Sequence, residues 1–210
     1  MKLSLIVCTY KRARPLLTLL QSVNKQSIYP NEILIIDGSI DNETKDCLNQ
    51  NSFKQLHYFK VGENERGLTK QRNFGIAKVS SDMNIVCFLD DDTVLDTTYF
   101  ETLISTYHMK PEALAVGGYI TNEIKWEKEK TKNNSSKFYF DGWQRNESSR
   151  FKLRNLLCVL ADARPGFLPT FAHGRYISFL PPSGKIYEVD LLMGGVSSYK
   201  TAIFKTIKFS

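Results

Sequence analysis

No apolar run in this 210-residue chain approaches the roughly 20 residues a helix needs to cross a bilayer. The chain therefore offers no candidate membrane-spanning helix. Cys8, Cys47, Cys87 and Cys158 lie far apart and form no CxxC pair, which argues against a zinc ribbon or a redox dithiol. They read as reduced thiols, with Cys8 and Cys87 set in apolar runs where cysteine behaves as a small hydrophobe. The first seven residues are too short for a signal peptide and lead into a polar stretch, so a cytoplasmic protein is expected. The sequons at Asn42, Asn134 and Asn146 then carry no weight. No internal repeat is visible. Aromatic and basic residues interleave on no single element, so nucleic acid is not an expected partner.

What remains is the composition of a soluble globular protein, 42% hydrophobic and 24% charged. The length suits one domain with an appendage at most. The net charge of +6 is spread along the chain and fits a phosphorylated ligand or an anionic membrane surface.

The most informative stretch is Ile85, Val86, Cys87, Phe88 and Leu89, followed by Asp90, Asp91 and Asp92. An unbroken apolar run of this length predicts a strand buried on both faces. Three adjacent carboxylates cannot share that core, because each unpaired buried charge costs several kcal/mol. The strand should end at Leu89 and place the acids at its carboxyl end, where open α/β sheets bind ligands. Oxygen ligands so spaced suit Mg²⁺ or Mn²⁺ held against a phosphate. The alternative is an acidic turn capping the next helix.

Around this stretch the chain alternates. Residues 3–8, 32–36 and 57–61 read as strands, and residues 43–49 and 68–79 as helices. Another helix follows Pro15, with Leu16, Leu17, Leu19, Leu20 and Val23 on its apolar face. That order predicts a largely parallel sheet with right-handed crossovers. Beyond Asp92, a helix over 97–108 and a strand over 113–120 are expected. Residues 122–150 are lysine-rich with single aromatics and should be a mobile loop with at most one short helix. A helix over 151–163, an irregular stretch over 166–184, and a strand over 187–193 leading to Gly194 and Gly195 complete the reading.

Three buried strands thus end in polar residues: Thr9 and Tyr10 with Arg12, Asp37 with Gly38 and Ser39, and the aspartate triplet. Between the last two, Gly67 to Gly75 carries Lys70 and Arg72. Carboxylates for a metal, a carboxylate for a base or ribose, and cations for phosphate describe a nucleotide-diphosphate site. With these segments, and with Met193, Gly194, Gly195, Val196 and Ser197 in the same order, the sequence resembles the family 2 glycosyltransferases of the GT-A fold.

The resemblance covers nearly the whole chain. It implies an α/β GT-A-like domain, a mostly parallel central sheet flanked by helices, with residues 1–120 on the nucleotide side and 121–210 on the acceptor side. It implies that Thr9 and Tyr10 flank the nucleobase and that Asp37 hydrogen-bonds it. Arg12, Lys70 and Arg72 would approach the nucleotide, Asp90 or Asp91 the ribose, and Asp92 a bound Mn²⁺ or Mg²⁺, the DXD role. Gly194 and Gly195 would form the close-approach loop on the acceptor side. The implied reaction is metal-dependent inverting transfer from a nucleotide-diphosphate sugar to a saccharide or lipid-linked acceptor, in cell-surface polysaccharide synthesis. Contact with the inner membrane face would then be peripheral.

One element of the family pattern is missing. Members carry a further Glu-Asp-type pair after the glycine loop, which supplies the general base, and none follows Gly195. The chain therefore reads as truncated at Ser210, with Asp190 the candidate base among the residues present and Glu188 two positions before it. A non-catalytic sugar-nucleotide or glycan-binding module is the alternative. A nucleotidyltransferase is a further one, but residues 9–15 lack the glycines its phosphate loop requires.

Overall fold

The computed structural model describes residues 1–122, 124–129, 137–161 and 163–210. The chain divides into two compact units, Met1–Gly118 with Gly194–Ser210, and Tyr119–Met193.

The first unit is built on a six-stranded sheet. Its parallel half comprises β1 (Leu3–Thr9), β2 (Glu32–Asp37), β3 (Leu56–Lys60) and β4 (Ile85–Asp90). The connections are α1 (Ala13–Val23), α2 (Glu43–Asn49) and α3 (Leu68–Lys78). After β4 come α4 (Tyr99–Met109) and the short β5 (Ala115–Gly117). β1, β2 and β4 are buried along their apolar residues, as their unbroken hydrophobic runs require. β3 is only half buried, because it forms the sheet edge.

The strand order is β3-β2-β1-β4-β9-β5, where β9 is Val196–Lys200, antiparallel to both of its neighbours. The division expected at residue 120 thus falls differently. The last seventeen residues return to the first unit, because β9 fills the gap between β4 and β5. Alternation along the strands sends Ile6, Leu34, Ile36, Val86 and Phe88 into one cluster. Phe59, Phe74, Tyr199, Phe204 and Phe209 pack against it. α3 lies close on the sheet: a Cβ at Gly75 would come within 2.8 Å of Ile6 Cγ2.

The second unit holds a three-stranded antiparallel sheet, ordered β6-β8-β7. These strands are β6 (Glu127–Lys128), β7 (Lys137–Phe140) and β8 (Trp143–Asn146). They lie in the segment expected to be a loop, of which residues 123 and 130–136, including the Asn134 sequon, fall outside the described residues. Their support is a cluster of aromatics and cations. Phe138 meets Phe179 edge-on at 5.2 Å, and the Arg145 guanidinium lies 4.4 Å from the Phe179 ring centroid. α5 (Ser149–Leu156) follows and stops short of the helix expected to 163, since Cys158 has a φ of 54°. The strand expected over 187–193 is absent. Asp190 instead ties back to residues 166 and 168, its N–H donating to Gly166 and its carboxylate accepting the Leu168 N–H at 2.9 Å. Among the described residues no helix is long and apolar enough to cross a membrane.

Candidate active site

The first unit gathers its polar strand ends at the carboxyl edge of β1, β2 and β4. β4 carries Asp90 at its end, and Asp91 and Asp92 follow in a turn. Asp91 is buried. It accepts the Thr9 hydroxyl at 2.7 Å and lies 3.3 Å from Arg12 Nε. Burial pushes its carboxyl up from the usual carboxylate range, while the Thr9 hydrogen bond and Arg12 act the other way. Asp92 is exposed and accepts Arg12 Nη2 at 2.7 Å. Arg12 is more basic than a free guanidinium, chiefly through that bond.

Asp90 faces the glycine loop. Its N–H donates to the Gly195 carbonyl at 2.9 Å, and a Cβ on Gly195 would collide with its carboxylate. Only glycine permits that approach. Arg72 reaches the same place from α3, donating to the Gly194 carbonyl at 2.8 Å and lying 3.8 Å from Asp90. Its guanidinium lies against two rings that meet edge-on, 5.5 Å from the Phe88 centroid and 5.4 Å from that of Phe209. Phe209 is held in turn by Asn73, which exchanges two hydrogen bonds with its backbone at 2.9 and 3.0 Å.

Thr9, Arg12, Arg72, Asp90, Asp91, Asp92, Gly194 and Gly195 therefore converge. Lys70 does not: residues two apart on a helix point to different faces, so the phase that delivers Arg72 leaves Lys70 exposed. Tyr10 lines a pocket of about 320 Å³ with Cys8, Thr9, Arg66, Gly67, Leu68 and Gln71. Burial pushes the Cys8 thiol up to about 12, so it enters this wall as a neutral group. Asp37 is absent from the lining. It is fully buried, accepting the Ser39 N–H at 2.7 Å and the Tyr58 hydroxyl at 2.8 Å.

Gln71 and Arg66 are the residues sequence reasoning missed. Gln71 is buried and donates to the carbonyls of Thr9 at 3.1 Å and Ile36 at 2.7 Å, joining the ends of β1 and β2 to α3. Arg66 Nε donates to the Gly38 carbonyl at 2.8 Å, with its guanidinium carbon 6.0 Å from the Tyr10 ring centroid. The available signal was position alone: Gln71 lies in the glycine-bounded segment already singled out, and Arg66 immediately precedes it.

No group of three or more acidic, histidine or cysteine side chains stands ready to enclose a metal among the described residues. The donor set still fits Mg²⁺ or Mn²⁺, which take one or two carboxylates and complete their shell with phosphate and water. Asp90 and Asp92 both have half-exposed side chains at the edge, and Asp92 is the carboxylate the family resemblance assigns to the metal.

Several known proteins are similar to this chain over part of their length. A glucosyl-dolichyl phosphate glucuronosyltransferase of Haloferax volcanii is 30% identical over 145 residues, covering 67% of this chain and 44% of the relative. The O-antigen chain rhamnosyltransferase RfbN of Salmonella typhimurium is 28% identical over 119 residues, covering 56% of this chain and 37% of the relative. The chain thus spans less than half the length of these curated relatives. Among solved structures, the mannosyltransferase PcManGT of Pyrobaculum calidifontis, in complex with GDP-Man and Mn²⁺, aligns with a TM-score of 0.48 at 20% identity. That alignment covers 56% of this chain and 35% of the other. The mostly parallel sheet flanked by helices is the GT-A-like α/β fold expected from the sequence. The family profile described as glycosyl transferase family 2 matches residues 4–173, most of the chain's length, and the chain belongs to that family.

Proposed function

We propose that the chain binds a nucleotide-diphosphate sugar at the carboxyl edge of β1 and β4 and supports metal-dependent, inverting transfer to a saccharide or lipid-linked acceptor. One observation carries this reading: two arginines, three aspartates and a glycine loop meet at one strand end, beside a pocket walled by Tyr10. The pocket has room for a base to stack on the Tyr10 ring. Arg72 would bind the diphosphate with its orientation already fixed by Phe88 and Phe209, so little side-chain entropy is lost on binding. Gly195 lets the Asp90 carboxylate sit against the glycine loop, where the donor sugar would meet it. A divalent metal held by Asp92 would supply neutralisation of the charge developing on the leaving diphosphate.

The names of the relatives, one acting on a glucosyl-dolichyl phosphate and one on the O-antigen chain, support an acceptor of lipid-linked or saccharide type in cell-surface synthesis. A cytoplasmic, peripheral position on the inner membrane face accords with α5. It exposes Leu153 and Leu156, with Leu157 just beyond, among Arg150, Lys152 and Arg154. The general base is not proposed among Asp90, Asp91 and Asp92, each of which already faces Thr9, Arg12 or Arg72.

Calorimetric titration of UDP, GDP and dTDP, each with Mn²⁺ and with chelator, tests the reading. Binding of one nucleotide that weakens at least about tenfold on chelation is expected. Equal affinity in both conditions removes the metal, and no binding of any nucleotide removes the donor.

A further inference from the structure

The two arginines at the acidic strand end are held very differently. Arg72 is confined, its side chain 11% exposed, packed against two rings and bonded to Gly194. Arg12 is at the N-cap of α1 but makes no capping bond, and its side chain is 47% exposed. Its contacts recorded at the edge are with acids: Nη2 to Asp92 Oδ2 and Nε to Asp91 Oδ1. The guanidinium therefore holds Oδ2 of Asp92, a carboxylate oxygen that a divalent cation would use.

A cation coordinated at about 2.0–2.2 Å to a carboxylate oxygen leaves no favourable place for a second positive group on that same oxygen. We propose that Arg12 is an internal counter-ion that competes with the divalent metal for Asp92 and releases it when a diphosphate offers the guanidinium another anion. This rests on the donor reading above. A planar fork that pairs with carboxylates pairs equally well with phosphate oxygens, so the arginine exchanges one partner for the other rather than losing one. The half-exposed side chain can swing without disturbing the fold.

Two consequences follow. Metal alone binds weakly, because it must first displace Arg12. Metal and nucleotide strengthen each other by the same factor, since coupling between two ligands is reciprocal. Arg12 is thus a positioning residue whose effect is read in binding order.

The test is Mn²⁺ titration of the full chain, with free Mn²⁺ read by electron paramagnetic resonance, alone and with saturating UDP. Wild type, Arg12→Gln and Arg14→Gln are compared; the last removes the same charge from the same turn without touching the aspartates. Arg12→Gln should tighten Mn²⁺ binding in the absence of nucleotide about tenfold, and reduce the enhancement by UDP by a similar factor. Arg14→Gln should match wild type. An Arg12→Gln protein whose nucleotide-free Mn²⁺ affinity is unchanged or weaker overturns the counter-ion. So does an equal gain in Arg14→Gln, which would indicate long-range charge alone. Failure of both wild type and Arg12→Gln to bind Mn²⁺ in the millimolar range overturns it as well. If Mn²⁺ binding shifts as expected but neither UDP, GDP nor dTDP binds, the donor reading fails and the release by diphosphate with it, while the competition for Asp92 stands. Should Arg12→Gln not fold, Arg12→Lys retains the charge without the fork and should give an intermediate gain; no gain there overturns the proposal.

Discussion

Replacing Gln71 by leucine tests how the site is held together. The amide nitrogen of Gln71 serves the carbonyls of Thr9 and Ile36, and its oxygen accepts the Gly67 N–H at 3.3 Å. Leucine fills similar space, so little cavity forms and the polar loss dominates. A buried carbonyl deprived of its partner costs about 1–3 kcal/mol. Thr9 retains a second partner, the Gly38 N–H at 3.0 Å, which puts its loss at the low end. Ile36 loses the shorter bond, and the Gly67 contact is long enough to count little. The sum is about 2–3 kcal/mol, which for a chain of this size lowers Tm by about 5–10 °C. Far-UV circular dichroism is the appropriate probe, because both tryptophans, Trp126 and Trp143, lie in the second unit and report only on it. Gln71→Glu sharpens the test. Set against two carbonyls, the new carboxyl should titrate above its unfolded value of about 4.3. The folded state then binds more protons, so the loss is smallest below about pH 4 and grows as pH rises towards the folded pKa. A Gln71→Leu shift below about 0.5 kcal/mol, or a Gln71→Glu stability that rises with pH over that window, would refute the reasoning.

Asp92→Ala should abolish the metal dependence of nucleotide binding while leaving Tm nearly unchanged, because the side chain lies outside the core; a large fall in Tm would mark it as structural. Gly195→Ala pushes the Asp90 carboxylate out of its place, so calorimetry should show nucleotide binding weakened about tenfold or more, with stability lowered by less than about 1.5 kcal/mol. Asp37→Ala should cost about 1–3 kcal/mol in urea unfolding through the lost Ser39 and Tyr58 bonds, and weaken all nucleotides alike. A loss confined to one base would restore Asp37 as a base reader. Hydrogen exchange of β7 and β8 should show protected ladder amides without any ligand; uniformly fast exchange there would contradict the sheet.

The sequence exposed the parts of the fold whose burial is complete. β1, β2 and β4 are covered on both faces, so they read as continuous apolar runs, and the acids after Leu89 had to lie outside. β7 and β8 gave no such signal. They are short and half buried, and rest on aromatic-cation contacts such as Arg175 over Phe138 at 4.5 Å, which leave no regular period. Arg72 and the aspartates were legible as charges at a strand edge. The role of Gln71 was not, since a glutamine early in a helix looks solvated until two strand ends are brought beneath it. The Tyr58 partner of Asp37 was hidden for a similar reason: it comes from β3, and only strand pairing reveals that they meet.

The late return of β9 also bears on how the chain is made. Until residue 196 has been synthesised, one edge of β4 has no neighbour, and the Phe88 ring lacks Tyr199, Phe204 and Phe209. A nascent chain stalled between residues 118 and 194 would therefore display an apolar strand edge ready to pair with other chains. Arg72 would be without one of its two ring neighbours over the same interval. Binding competence is thereby deferred until the stretch from residue 196 to 209 has been made, so ribosome-bound fragments ending before residue 196 should need a chaperone, and none should retain nucleotide.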